Sequence, residues 1–298
     1  MARDDAPGLE RGLRDRVIAR LGLPQAPAAD ARGLRALYQA WCTHVPFDNV
    51  RKMTALLGGG NSPLPAMAGA DFLESWLTDG AGGTCWPTSN ALCELACSLG
   101  FAARRITASM HDVGVGNHGS VRINLDGGEW LVDSSMLTNA PLPLTRDLYM
   151  HDDPVCAVEV EPVDGTHIVW WECPPSTAHL PCRLMDDSVG YTHYAAAYEA
   201  SRVRSPFNQR LFARRNRPGA VVLLAGHTCY VKSAEGLRAR ELAPDEVKQI
   251  LREDIGLAED LIEQWARVGG LQATFETPPG PQPPPLTRQP PSRRGTTA

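Results

Sequence analysis

Cys85, His118 and Asp133 are the residues of this 298-residue chain whose types and spacing could do chemistry. A cysteine is a nucleophile only as thiolate, so it needs a site that favours the charged sulfur and a base within reach. Cys85 stands in the stretch Gly82-Gly83-Thr84-Cys85-Trp86-Pro87. The two glycines allow a close backbone approach, and Pro87 suits a first helical turn, where its missing N–H is no loss. Behind it Ala91, Leu92, Leu95, Ala96 and Leu99 recur at helical spacing, and Gly100 is placed to end the helix. Cys85 is therefore predicted at a helix N-terminus, where the macrodipole favours a negative sulfur.

The partners come from a predicted hairpin. Gly119 to Leu125 reads as a strand, Asp126-Gly127 as a two-residue turn, and Glu129 to Asp133 as the return strand. With that turn Leu125 faces Gly128 and Asp133 lies opposite Ser120. Side chains alternate with period 2, so Ser120 and His118 share a face and Asp133 becomes a diagonal neighbour of His118. A carboxylate there can orient the imidazole, whose other nitrogen can take the Cys85 proton. Taken singly, a cysteine before a helix is more often a small buried apolar residue, and the histidine and aspartate have ordinary structural readings. The ordered set with a workable geometry outweighs them.

The order Gly-Gly-x-Cys, then His, then Asp fifteen residues later resembles the arylamine N-acetyltransferase family, within the wider transglutaminase-like group of Cys-His-Asp enzymes. The stretch from Arg16 to Leu23, Leu34-Arg35-Ala36-Leu37 and Val45-Pro46-Phe47-Asp48-Asn49-Val50 is similar to the family's N-terminal signature. Ser205-Pro206-Phe207-Asn208, Gly226 and the run from Leu242 to Leu257 resemble its lid region, so the likeness covers about residues 10 to 270. It implies an α+β fold with a cysteine-proteinase-like core: a helical bundle (1–84), a central antiparallel β-barrel (85–195) and an α/β lid (196–274); beyond it the Pro-rich composition of 275–298 reads as a disordered tail. It also implies acyl transfer from a thioester such as acetyl-CoA to a small-molecule amine through an acyl-Cys85 enzyme, with His118 moving the proton and Asp133 holding the imidazole. Phe47, Trp86, Gly116, Met136 and Phe207 are the substrate contacts it suggests. No permanently bound cofactor and no metal are implied; the coenzyme A thioester is a substrate. The chain departs from the family pattern at Ala81, where Arg is usual, at Pro87, where Glu is usual, and at Ser134-Ser135-Met136-Leu137, in place of a glycine-rich turn. These departures touch the surroundings of the thiol and leave three other readings: amide synthesis from a carrier-bound acyl group, a transglutaminase-like amidase, and a binding protein without catalysis.

Composition bounds the rest. With 43% apolar and 21% charged residues the chain can bury a sizeable core. A net charge of −5 gives no broad basic field for nucleic acid. No apolar run long enough for a membrane span is present, the N-terminus lacks a signal-peptide core, and eight irregularly spaced cysteines fit reduced thiols, so a cytoplasmic protein is expected. Helices are expected around Leu9–Leu21, Leu34–Trp41, Asp71–Thr78, Thr192–Arg202, Ala243–Leu251 and Glu259–Val268. Strands are expected at 104–109, 157–160, 167–172, 220–225 and 229–233, beside the hairpin. Leu57 to Pro63 reads as a loop, and Pro46 to Val50 as a turn in which a packed Phe47 adjoins an Asx-type turn. Cys93 and Cys97 lack a second pair of ligands and read better as core than as a metal pair. Cys173, His179 and Cys182 have loose spacing for zinc. Arg202, Arg204, Arg210, Arg214, Arg215 and Arg217 could meet the phosphates of a thioester carrier, though a solvated surface is the simpler reading.

Overall fold

The computed structural model describes residues 8–60, 62–172, 174–175, 179–185 and 188–279. Helices α1 (Arg11–Arg20), α2 (Ala31–His44), α4 (Gly69–Asp79) and α5 (Cys85–Ser98) share one apolar core; α3 (Val50–Leu57) leaves it for the C-terminal half. Leu13, Val17 and Ile18 of α1 and Leu34, Leu37 and Trp41 of α2 are the buried faces that the period of 3.6 predicts. Asp30 caps α2 by accepting from Gly33 N at 2.7 Å, a contact worth about 1 kcal/mol. Helix α5 is buried on every side from Cys85 to Ala96, because α4, α6 (Tyr191–Ala200) and the sheet enclose it. Two of its buried polar residues meet a buried arginine: Arg105 Nε donates to Asn90 Oδ1 at 2.6 Å and another guanidinium nitrogen to Glu94 Oε1 at 3.2 Å.

An eight-stranded antiparallel sheet follows, built from β2 (Ala102–Met110), β3 (His118–Leu125), β4 (Gly128–Val132), β5 (Leu142–Pro143), β6 (Tyr149–His151), β7 (Val158–Val163), β8 (Thr166–Glu172) and β9 (His179–Leu184) in the order β5-β4-β3-β2-β9-β8-β7-β6. Leu131 and Leu142, near one end of that order, share a cluster with Val158 and Val160 near the other, so the sheet curls into a nearly closed barrel. The outer face of its first strands carries Val121, Ile123 and Val132, which pack on the helical core. A second sheet joins β1 (Phe47–Asp48) to β10 (Phe212–Arg217), β11 (Ala220–Ala225), β12 (Thr228–Ser233) and β13 (Gly236–Glu241) in that order. Its apolar side packs with α3, α7 (Pro244–Ile250), a five-residue π turn (Leu251–Ile255) and α8 (Glu259–Arg267), and α9 (Gly270–Glu276) joins its rim. No described helix is long and apolar enough to cross a membrane.

Several expectations are corrected. The Pro46–Val50 turn contains strand β1: Phe47 pairs with Arg214 of β10 and bridges Gly83 in parallel, while Asp48 Oδ1 still closes an Asx turn onto Val50 N at 3.0 Å. Helices α3 and α9 and strands β5, β6, β9, β10 and β13 come in addition. Much of the basic run read as a solvated surface is β10. Arg214 is 2% exposed, and Arg215 donates to the carbonyls of Thr43 and Ile255. Its polar side chains reach partners distant in sequence, Arg214 to Cys156 and Arg215 to two carbonyls, so the strand shows no apolar alternation to read. Helix α9 runs past the expected start of the tail, and residues 280–298, like Cys173 of the loose zinc trio, lie outside the described residues. Among the described residues no group of three or more His, Cys, Asp or Glu is placed to hold a metal.

Candidate active site

Cys85 is the first residue of α5, behind the N-cap Thr84, and is 8% exposed. Of the two glycines before it, Gly82 is sterically required and Gly83 is closely packed. A Cβ on Gly82 would lie 1.7 Å from the Pro46 carbonyl oxygen, and one on Gly83 would press on Phe72, Pro87 and Thr88 at 3.1–3.2 Å. Asp48 pins this loop: its Oδ2 accepts from Gly82 N at 2.7 Å, and its own N–H donates to Gly83 O at 3.2 Å. Burial pushes the Asp48 carboxyl up to about 6, against the pull of the N–H groups of Gly82 and Val50.

The hairpin forms in the expected register, with Leu125 opposite Gly128 and Val121 opposite Val132, around Asp126 and Gly127 at φ of 52° and 75°. Positive φ at both central residues is the type I′ turn that matches strand twist. His118 Nε2 lies 2.7 Å from Asp133 Oδ2, and the Asp133 Oδ1 accepts from Ser135 N and Met136 N, each at 2.9 Å. Cys85 lies near enough to His118 to help raise the imidazole pKa, and with Nε2 taken by Asp133 the nitrogen left to face the thiol is Nδ1. Burial works against the imidazolium, but the charge and hydrogen bond of Asp133, with the nearby Cys85, hold its pKa well above the ordinary value. Burial likewise opposes the Asp133 carboxylate, and His118 with the two N–H donors outweighs it and lowers the pKa.

Four further contacts fix the distances between these elements. Ser89, one turn after Cys85, donates to Gly119 O at 2.8 Å and shares a 2.7 Å hydrogen bond with Ser134, tying the helix of Cys85 to the strand of His118 and the turn after Asp133. Tyr38 Oη of α2 donates to the Asp133 carbonyl at 2.7 Å. Trp86 packs edge-on against Tyr194, with ring centroids 5.0 Å apart, and a Cβ on Gly119 would lie 2.8 Å from the Trp86 ring.

Cys85 and His118 open on a cavity of about 460 Å³. Of the proposed substrate contacts, Phe47, Trp86, Met136 and Phe207 line it, whereas Gly116 sits exposed beside Thr107. Phe47, Phe207 and Phe212 meet edge to face with centroids 5.2–5.7 Å apart. Thr84 Oγ1 and Ser135 Oγ are buried in this wall without a hydrogen-bond partner among the described residues. Such hydroxyls are matched when a polar ligand fills the space. Lys52 and Arg214 also line the cavity; Arg214 belongs to the basic run that could meet a carrier's phosphates, whereas nothing in the sequence marks Lys52 as a site residue. A different thiol of the barrel, Cys182, is fully enclosed, and burial pushes it up to about 12.

No protein-family model and no curated protein matches this chain. Solved structures do. An arylamine N-acetyltransferase from Mycobacterium abscessus superposes with a TM-score of 0.72 over 87% of this chain and 94% of that one, at 19% identity. The Salmonella typhimurium enzyme gives 0.71 over 89% and 100%, at 17% identity. The Mycobacterium marinum enzyme, solved in complex with CoA, gives 0.72 over 86% and 95%, at 15% identity. This chain has the arylamine N-acetyltransferase fold.

Within that fold the departures in sequence have local accounts. Ala81 is buried in the apolar cluster of Val50, Met53 and Leu211. Pro87 occupies the first turn of α5 and packs on the Gly83 backbone. Ser134 meets Ser89, and the Ser135 and Met136 N–H groups hold Asp133, so the altered turn still orients the carboxylate of an arylamine N-acetyltransferase-like hairpin.

Proposed function

We propose that this chain is a divergent acyltransferase of the arylamine N-acetyltransferase family, moving an acyl group from a coenzyme A-type thioester to an amine through an acyl-Cys85 intermediate. The observation that carries this reading is the buried His118–Asp133 pair, 2.7 Å apart, beside Cys85 at the start of α5, with Cys85 and His118 opening together on an aromatic-walled cavity. The Cys85 proton passes to His118 Nδ1, and the thiolate attacks the thioester carbonyl. The N–H groups of Cys85 and Trp86, in the first turn of α5, have no acceptor within the helix and can stabilise the developing oxyanion. The donor's thiolate leaves with the proton from His118. An amine then attacks the acyl-Cys85 carbonyl while His118 takes its proton, and the Cys85 thiolate departs, closing a ping-pong cycle.

Intact mass after mixing with acetyl-CoA tests the reading. The expected result is one acetyl group that requires Cys85, is absent in Cys85→Ala, and is discharged by an arylamine. A Cys85→Ala protein that still transfers acetyl groups would refute the mechanism. An unmodified Cys85 that iodoacetamide still alkylates would rule out acetyl-CoA as donor and direct the search to carrier-bound acyl groups. The Mycobacterium marinum complex with CoA supports the choice of first donor.

A further inference from the structure

Lys52 has no part in the proton relay, yet it is buried beside it. It lies on α3, is 3% exposed, and lines the cavity that holds Cys85. One of its three donors goes to Ser201 Oγ at 2.8 Å, and the ammonium stands 5.7 Å from the centre of the Tyr198 ring. Ser201 gives its own proton to Tyr198 O at 2.6 Å, so it is committed as the acceptor from Lys52. The carboxylate that acts on Lys52, Glu199, is already engaged by Leu64 N and Arg202. Burial pulls the Lys52 amine down to about 8, with Cys85 the largest influence the other way. A buried ammonium is costly unless paired, and a surface lysine would avoid that by reaching water.

The rest of the cavity wall has the same sign. Arg214 enters from β10, opposite Phe47, and Arg204 stands at the exposed edge. Among the described residues no Asp or Glu lines the space. Three phenylalanine rings and two unmatched hydroxyls complete a wall suited to a flat apolar body with a negative group. We propose that Lys52 receives the carboxylate of the substrate bound beside Cys85. That carboxylate is carried either by an aromatic acceptor amine or by the acyl chain of the donor. The two terms acceptor and donor rest on the acyl-transfer reading; the anion site itself does not.

Alkylation of Cys85 by iodoacetate and by neutral iodoacetamide, followed peptide by peptide, tests it without any acyl transfer. Both reagents need the same thiolate, so the ratio of their rates reports the charge around the sulfur. Exposed Cys97 is the internal standard. The iodoacetate-to-iodoacetamide ratio is expected to be roughly 10- to 100-fold higher at Cys85 than at Cys97, the range of a charge-assisted hydrogen bond. It should fall toward the Cys97 value in Lys52→Met and persist in Lys52→Arg. A lysine that served only to favour the thiolate would alter both rates alike and leave the ratio unchanged. Equal ratios at Cys85 and Cys97 in the unaltered protein, or an unchanged ratio in Lys52→Met, would overturn the proposal. Two arms separate the sources: protection of Cys85 by benzoate over benzamide assigns the carboxylate to the acceptor, and faster acylation by succinyl-CoA than by butyryl-CoA assigns it to the acyl chain. An anion preference at a Cys85 that takes no acyl group from any thioester would retire the acyl-transfer reading and leave the Lys52 site standing.

Discussion

Asp133→Asn tests the relay at the point where structure makes the sharpest demand. In the unaltered protein Oδ2 faces His118 Nε2 at 2.7 Å, and Oδ1 takes the N–H groups of Ser135 and Met136. The carboxamide oxygen can keep those two donors, which turns its NH₂ toward Nε2. His118 must then carry its proton on Nδ1, the nitrogen that should accept from Cys85. With the Asp133 charge gone, burial is the largest remaining influence on the imidazole and lowers its pKa. A relay with the wrong tautomer loses about 10⁴ in turnover, or about 5.5 kcal/mol of barrier. The assay is release of free coenzyme A from acetyl-CoA in the presence of an arylamine. Stability should change with a defined pH signature. Asp133 is lowered from 3.8, so its contribution is present above that value and lost as pH falls through the folded pKa. His118 is raised from 6.5, so its contribution is full below that value and lost as pH rises through the folded pKa. The deficit of Asp133→Asn should therefore be widest between about pH 4 and pH 6.5, at about 3–5 kcal/mol for a broken buried pair. Turnover within tenfold of the unaltered protein would refute the assigned role of the aspartate.

Two further perturbations act on the loop that leads to Cys85. Gly82→Ala places a methyl group 1.7 Å from the Pro46 carbonyl, and backbone on both sides must move; a loss of about 3 kcal/mol or more in urea unfolding is expected, with slower labelling of Cys85. Asp48→Asn removes a buried carboxyl raised from 3.8 to about 6, which favours the folded state while protonated and opposes it once ionised. Relative to that variant the unaltered protein should lose about 3 kcal/mol between pH 4 and pH 7, and a gap independent of pH would contradict the burial argument.

The hairpin shows what makes part of the site legible in the sequence. Asp126-Gly127 selects a turn of two residues, the turn fixes the register, and register with period 2 places Asp133 diagonal to His118. Each step is local. The start of α5 is equally local, with a close-packed glycine pair, a proline in the first turn and Gly100 at φ 90° after the last. The curled sheet and helical core follow from apolar periodicity, as Val121 and Ile123 on one face and Leu34 and Leu37 on another illustrate.

What the sequence hides is polar and non-local. Strand β10 carries Arg-Arg-Asn-Arg, and its members bond to partners far along the chain: Arg215 to Thr43 and Ile255, Asn216 to Leu137 and Asn139. A periodicity argument counts apolar residues, so a strand buried through hydrogen bonds has no pattern to count. Asp48 reads as a turn residue because its bond to Val50 is local; its second bond, to Gly82, spans 34 positions and holds the loop before Cys85. Lys52 is the extreme case. On α3 it lies between buried Val50 and Met53, and nothing near it in sequence explains a buried cation. Its partner Ser201 is 149 positions away, and its proposed remaining partner belongs to the substrate. The residues that give this cavity its charge are thus those whose complement lies outside their own stretch of chain, or outside the protein altogether.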